Sequence, residues 1–507
     1  MAAPTSLTIR LNNSDNVVVA RVDIAAGTEI SEERIVCNDS ISFGHKIAIR
    51  TVKTGEAVIK YGQIIGFAES DIKPGELVHT HNIVMKDFDR DYAAGTGAQP
   101  TEYEAEPAAF QGIVRADGRV ATRNYIGIVS TVNCSASVSR FIADSFRGGA
   151  LDPFPNVDGI VPICHGMGCA CSTGGTGFDI LLNTLAGYCR HPNFSGVLVI
   201  GLGCEVMQID TLFQRRDLTP GASLQTMIIQ GSGGTKKSVQ EGIRRVQDML
   251  ETANDIKRCP VPASHLTLAL QCGGSDAYSG ITANPALGAA ADILVRHGGT
   301  AVLGETPEIY GAEHLLTRRA VSAEVAEKLI DRIHWWENYA AAHNGELNNN
   351  PAPGNKAGGL STILEKSLGA AAKGGTTNLV DVYAYGQSIT AKGLVFMDTP
   401  GYDPVSLTGM VAGGANLICF TTGRGSCYGC KPVPSVKLAT NTEMYHRMQD
   451  DMDINCDETV DAATPVEEMG ERIFKFILKV ASGTRSKSEL NGIGDNEFVP
   501  WAVGAVY

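Results

Sequence analysis

Aromatic side chains are few, 6% of the 507 residues, and no apolar run reaches membrane-spanning length. Basic residues are in deficit: 42 Lys and Arg against 55 Asp and Glu leave a net charge of −13. An acidic chain without a basic run is a poor binder of nucleic acid or of an anionic membrane. Met1 to Asn13 holds no basic segment followed by a long apolar one, so no secretory signal is visible and a cytoplasmic location is expected. Nucleotide signatures are missing too. Gly201-Leu202-Gly203 lacks the third glycine of the dinucleotide fingerprint, and the run GSGGTKKS from Gly231 to Ser238 misses the phosphate-loop spacing. No pair of CxxC motifs occurs, which argues against a zinc ribbon; Cys427 and Cys430 form a lone one.

Against these absences stands a full apolar complement. A hydrophobic fraction of 43% with 19% charged residues excludes a disordered chain, and the length suits two to four domains. Glycine is in excess: 57 residues, about 11%, against roughly 7% in ordinary proteins. The glycines cluster in short loops, as they do where backbone approaches a ligand. Thirteen cysteines, an odd number on a long chain with no visible export signal, fit free thiols, metal ligands or catalytic groups better than a disulfide framework.

Residues 1–88 read as a small β unit. Leu7, Ile9 and Leu11 alternate with polar residues, Val17 to Val22 is a β-branched run, and glycine-centred turns recur from Gly27 to Gly75. Residues 89–107 are polar and rich in Gly, Ala, Pro and Glu, the composition of a linker. Beyond it, short apolar runs end repeatedly in glycine-rich polar loops: Tyr125–Ser130, Gly159–Ile163, Val197–Leu202, Leu266–Leu270, Thr300–Leu303, Leu394–Met397 and Asn416–Phe420. Helical patterns such as Ser238–Ala253 and Ser322–Asn338 lie between them. Strands alternating with helices predict parallel α/β sheets, here two domains over 108–255 and 256–507. Ligands bind at the carboxyl ends of such strands.

The chemistry-bearing residues fall at those ends. Cys134, Cys169, Cys204 and Cys272 sit in four strand-end loops, with His165 near Cys169. Thiolate and imidazole are first-row metal ligands; the plain alternative is that they are buried free cysteines. His79 and His81, two apart, would share one face of a strand and could both reach a metal, or could lie in a surface turn. Glu205, Asp276, Glu305 and Glu308 could ligate a metal, act as base or hold a hydroxyl, or serve as turn and cap residues. Arg424 between two glycines is suited to gripping a carboxylate through two hydrogen bonds. Lys356 is a candidate base if desolvated, and a solvated side chain otherwise. The polar stretch His343–Gly359 is either an inter-domain loop or a functional one.

Taken together, these loops resemble the altronate/galactarate dehydratase family of sugar-acid dehydratases, which also includes sulfolactate sulfo-lyase. The matching strings are Gly44-His45-Lys46, His79-Thr80-His81-Asn82, Gly201-Leu202-Gly203-Cys204-Glu205, QCGGSDAYSGITANPALG from Gln271, PAPGNKAGG from Pro351, EKSLG from Glu365, FTTGRG from Phe420 and KLATN from Lys437. They run in order over essentially the whole chain. The resemblance implies an α/β protein with a small N-terminal β-rich SAF domain and two α/β domains with mainly parallel sheets. It further implies a divalent metal, usually Fe²⁺; the sequence itself leaves Mn²⁺ and an iron–sulfur cluster open as alternatives. The paired histidines are more like altronate dehydratase, and the fused SAF unit is unlike the sulfo-lyases, which carry it as a separate subunit. Cys164, Cys171, Cys427 and Cys430 stand beside the shared cysteines, so the thiols need not all have one job.

The expected reaction is loss of water from a 2,3-dihydroxy acid, D-altronate giving 2-keto-3-deoxy-D-gluconate, through removal of the weakly acidic C2 proton and stabilisation of a dianionic enediolate. The metal is assigned to a subset of His165, Cys169, Cys204 and Cys272, completed by His79 and His81. Arg424 is expected to bind the substrate carboxylate, Lys356 or Asp276 to act as base, and Ser275, Asn284, Glu308 and Asn355 to contact the substrate. The SAF unit is expected to act as a lid that excludes water, and the chain to form a homo-oligomer, a dimer. Competing readings are a galactarate dehydratase, a lyase that expels sulfite, and a non-catalytic sugar-acid binding protein.

Overall fold

Two sequence rhythms set the architecture: short alternating strands at the N-terminus, and buried apolar runs after it. The structure, a computed structural model, describes residues 6–88 and 90–504.

The N-terminal unit holds only short antiparallel strands. Thr8–Ile9, Val17–Ala20, Lys46–Ala48 and Leu77–Val78 form one sheet, and Ala57–Lys60, Gln63–Ala68 and Ile83–Val84 another. The predicted run at Val17 is a strand buried at all four positions, whereas the alternation from Leu7 to Leu11 yields just two strand residues. Its apolar interior continues into the rest of the molecule: Val17, Ala48 and Ile72 share a cluster with Ala312, Leu368 and Ala371. Lys46 and Lys60, both buried, reach Glu365 at 2.8 and 2.9 Å. The unit expected to act as a lid is thus anchored through apolar and ionic contacts.

The stretch read as a linker contains no regular element among its described residues, yet it is tied down. Arg90 pairs with Glu313 at 2.9 Å, and Gln99 exchanges hydrogen bonds with Asn378.

The first α/β unit is a four-stranded parallel sheet built from β1 (Tyr125–Ser130), β2 (Gly159–Ile163), β3 (Phe194–Gly201) and β4 (Leu224–Ile228), in the order β2-β1-β3-β4. β1 is buried throughout, as a parallel strand covered on both faces must be. Helices α1 (Asn133–Asp144) and α3 (Thr235–Asn254) cover one face through Ile142, Val246 and Met249, and α2 (Thr176–Arg190) covers the other through Leu181 and Leu185.

The second unit is a seven-stranded parallel sheet of β5 (Thr267–Cys272), β6 (Thr300–Leu303), β7 (Leu379–Tyr383), β8 (Gly393–Met397), β9 (Leu417–Thr422), β10 (Ser435–Ala439) and β11 (Ile454–Asn455), ordered β7-β8-β6-β5-β9-β10-β11. Helices α4 (Ala283–Arg296), α5 (Ile363–Ala371), α6 (Asp403–Ala412) and α7 (Val466–Ala481) accompany it. α4 and α7 share its larger core, while α2 and α6 pack together in a cluster that includes Val129 and Val199 of the first sheet and Ala269 and Ile418 of the second. A small antiparallel sheet, Ala109–Val114 between Val120–Ala121 and Arg258–Pro262, joins the two units. Fold class therefore agrees with the sequence reading: a small strand-rich domain followed by α/β domains with parallel sheets.

Candidate active site

Strand β5 is central in its sheet, and its last residue, Cys272, is buried at the carboxyl edge where the neighbouring strand ends converge. β6 delivers Glu305, held in the left-handed region at φ 64°, followed by a single turn ending at Glu308. That conformation costs a non-glycine residue energy, and its amide is held by Thr399 Oγ1 at 2.7 Å. The Cys272 thiol lies 3.6 Å from a Glu305 oxygen and 3.5 Å from a Glu308 oxygen. One ligand atom from each of the three falls within 4.8 Å of the others, and all three residues are buried.

Two lysines bring compensating charge. Lys373 donates to the Cys272 sulfur at 2.7 Å and to Glu305 at 3.0 Å; Lys366, on α5, donates to Glu308 at 2.8 Å and to Asn350 at 2.7 Å. Gln271 donates to Glu305 at 2.6 Å and to Asp403 at 3.2 Å, and its own amide oxygen is buried with no partner among the described residues. Burial, reinforced by neighbouring Glu308, pushes the Glu305 carboxyl up to about 7 and that of Asp403 up to about 6. Burial likewise raises the Cys272 thiol, against the pull of Lys373. One sulfur and two carboxylates, with the free Gln271 oxygen beside them, form a donor set that a divalent first-row metal can use.

A cavity of about 280 Å³ opens beside this group. Cys272, Glu308, Lys366 and Asp403 line it together with Asn350, Asn355 and Arg424. Arg424 is exposed there, and its guanidinium makes no ion pair with a described residue. Asn355 is fixed by a 2.8 Å bond from its amide to the Ser275 carbonyl. The stretch His343–Gly359, open between two readings in the sequence, supplies part of this wall.

Of the residues singled out in the sequence, Cys272, Glu305, Glu308, Asn355 and Arg424 meet here. The others do not. Asp276 is buried with its oxygens accepting from Ser279, Thr440 and Asn441, so its lone pairs are already engaged. Asn284 spends its amide on the Gly369 carbonyl and on Thr421. Ser275 and Asn284 border a separate void of only about 10 Å³. Lys356 is half-buried on the short helix Pro353–Ala357 and does not line the cavity; its carbonyl accepts from His79 Nε2 at 2.8 Å. His79 stacks on His45 at 5.2 Å, whereas His81 is exposed. His165 has both ring nitrogens occupied, by the Ser130 carbonyl and the Met167 amide, and burial lowers its pKa to about 4. Cys169 and Cys204 are exposed at the edge of the first sheet. The expected convergence of His165, Cys169, Cys204, Cys272, His79 and His81 on one ion is therefore corrected: among the described residues, the three-ligand group is Cys272, Glu305 and Glu308.

Asp403, Lys366, Lys373 and Gln271 escaped the sequence reading. Lys366 stood inside the EKSLG string without a role, and Glu305 was noted only as a strand-end carboxylate. Lys373, in an Ala/Gly-rich segment, offered no signal.

Comparison with known proteins bears on the same elements. Residues 263–506 match the family model described as D-galactarate/Altronate dehydratase, C-terminal; residues 112–254 match D-galactarate dehydratase/Altronate hydrolase, second domain; residues 6–86 match Altronate/galactarate dehydratase SAF domain. An altronate dehydratase of Bacillus subtilis is 36% identical over 488 residues, covering 95% of this chain and 96% of the relative. A galactarate dehydratase (L-threo-forming) of Escherichia coli is 36% identical over 492 residues, 95% of this chain and 94% of that one. The β subunit of a (2R)-sulfolactate sulfo-lyase of Chromohalobacter salexigens is more distant, 28% identical over 401 residues, 78% of this chain and 98% of its own. All three parts of the fold being matched in order, the chain belongs to the altronate/galactarate dehydratase family and is a carbon–oxygen lyase.

Proposed function

We propose that this chain dehydrates a six-carbon sugar acid, D-altronate, to 2-keto-3-deoxy-D-gluconate in the cavity beside Cys272. The observation that carries this reading is that the Arg424 guanidinium, paired with no described acid, lines the same small cavity as Cys272 and Glu308 of the buried acid–thiol group and Lys366 beside them. Paired hydrogen bonds from Arg424 hold the substrate carboxylate, and the amides of Asn350 and Asn355 meet hydroxyls. Asp403, ionised above about pH 6, takes the C2 proton. The electron pair of that C–H bond forms the C2–C3 double bond as the C3–O bond breaks. Lys366 supplies the proton with which the hydroxyl leaves as water, and the enol then tautomerises to the 2-keto acid. Asp403 takes the role of base expected of Lys356 or Asp276 because it lines the cavity and they do not.

Cys272, Glu305 and Glu308 would hold a divalent ion, Fe²⁺ or Mn²⁺, which supplies Lewis-acid stabilisation of developing oxyanion charge when bound. The SAF domain holds the segment next to the cavity wall in place, through Lys46 on the Gly359 carbonyl and His79 on the Lys356 carbonyl.

The test is an anaerobic assay of the full chain, with Fe²⁺ or Mn²⁺ added, against a panel of aldonic and aldaric acids, following 2-keto-3-deoxy acid. Turnover of D-altronate above the other acids supports the reading. Preference for galactarate reassigns the substrate, sulfite release from sulfolactate reassigns the leaving group, and binding without turnover removes the catalytic role.

A further inference from the structure

Three cysteines take no part in that chemistry. Cys134, Cys169 and Cys204 follow β1, β2 and β3, three neighbours in one parallel sheet, and all three are exposed at its carboxyl edge. Their loops are stitched to one another. The Asn133 amide donates to the Met167 carbonyl at 3.0 Å, the Met207 amide to the Gly168 carbonyl at 2.9 Å, and Thr131 Oγ1 to Glu205 at 2.9 Å. A glycine at positive φ precedes each of the outer two: Gly168 at 95°, whose Cβ would lie 2.1 Å from the Thr131 carbonyl, and Gly203 at 127°, packed under Gln230. The backbone thus brings the Cys169 loop directly onto the end of β1, next to Cys134.

Two further features suit this edge to an anionic group. Cys134 is in the first turn of α1, a twelve-residue helix whose N-cap Val132 offers no side-chain hydrogen bond, which leaves backbone N–H groups of that turn to face it. Gln230 Nε2 donates to the Cys204 sulfur at 3.4 Å. A single tetrahedral ion holds its thiolates roughly 3.8 Å apart, from metal–sulfur bonds of about 2.3 Å. These three sulfurs do not all lie within 4.8 Å of one another, as the ligand atoms of Cys272, Glu305 and Glu308 do. A multi-iron cluster, in which different irons take different thiolates, spans a wider gap than one ion does.

We propose that Cys134, Cys169 and Cys204 ligate a four-iron iron–sulfur cluster on the outer edge of the first sheet, separate from the Cys272 group. Two ferric and two ferrous ions with four sulfides make a core of charge +2, so assembly needs no oxidant; each thiol gives up its proton as its sulfur bonds to iron. Three protein thiolates leave one iron without a protein ligand, open to a small oxygen donor from solvent.

The test is anaerobic reconstitution of the full chain with ferric and ferrous iron and sulfide, desalting, and measurement of iron, acid-labile sulfide and visible absorption. The wild-type chain is expected to retain about four irons and four sulfides. Cys134→Ser, Cys169→Ser and Cys204→Ser should each lose most of the sulfide, with far-ultraviolet circular dichroism unchanged. Cys164→Ser, whose thiol sits against the Ala136 carbonyl, should keep the wild-type amount. So should Cys272→Ser, even though it loses turnover, which separates this proposal from the assignment of the active site. Iron without sulfide in the wild type, or full sulfide retention by the triple serine variant, overturns the proposal.

Discussion

Arg424 and Lys366 both line the cavity, but they carry charge in different settings. Arg424 is exposed and pairs with no described acid, so removing it leaves no buried charge behind and its loss should be felt only when substrate is present. Arg424→Ala is expected to raise KM about 30-fold, equivalent to about 2 kcal/mol, with stability unchanged in a denaturant titration. An unaltered KM would remove Arg424 from carboxylate binding. Lys366 is buried against Glu308, with side-chain exposures of 8% and 5%. If its ammonium protonates the departing hydroxyl, Lys366→Met should lower kcat by roughly 10² or more while KM changes far less. The same change strands Glu308, and breaking a buried pair from one side costs about 3–5 kcal/mol of stability. A stable variant with normal kcat would leave Lys366 without a role. These residues also mark where sequence reading succeeds and stops. Cys272, Glu308, Asn355 and Arg424 were legible because each lies in a glycine-rich loop at a strand end or beside one. Lys373 and Asp403 sit in or after helices, far along the chain, and only folding brings their charges to Cys272 and Glu305.

At the scale of elements, legibility follows burial. β1, β2 and β6 have the bounds read from the sequence, because a strand covered on both faces is an unbroken apolar run. β7 was not recognised: an edge strand, it carries Asp381 and is only half-buried in the middle. β10 was missed because buried Lys437 interrupts its apolar run. The same principle hid the anchor of the N-terminal domain, for nothing in sequence shows that Lys46 and Lys60 are buried. They meet on Glu365 of α5. Burial alone would raise that carboxyl's pKa, but the two ammoniums override it and hold it well below the usual carboxylate range. Glu365→Ala should therefore destabilise the protein by about 3–5 kcal/mol, leaving two buried cations uncompensated. Limited proteolysis should then cut between the SAF domain and the remainder faster than in the wild type. Equal cleavage rates and equal denaturation midpoints would show that the apolar contacts alone hold the domain.

Across the whole molecule, the two α/β units meet in one core, and a buried histidine spans the junction. His191 follows α2 in the first unit; its Nε2–H donates to the Ala415 carbonyl of the second at 2.9 Å, while Nδ1 accepts from the Asn193 amide at 3.2 Å. A second proton would have to sit on Nδ1, facing that amide N–H. Burial accordingly lowers the pKa from 6.5 to about 4. In the unfolded chain the same imidazole takes up its proton near pH 6.5, so between pH 6.5 and pH 4 the unfolded state binds more protons and stability must rise with pH. The contribution is complete above about pH 6.5 and falls as acid is added, with about 3 kcal/mol lost by pH 4. His191→Gln, which retains an amide donor and cannot titrate, should be less stable than the wild type at pH 7 yet lose about 3 kcal/mol less between pH 7 and pH 4. Urea denaturation of both proteins at several pH values measures the difference. Parallel pH profiles would mean that His191 is already protonated, or that the junction between the units opens before the imidazole titrates.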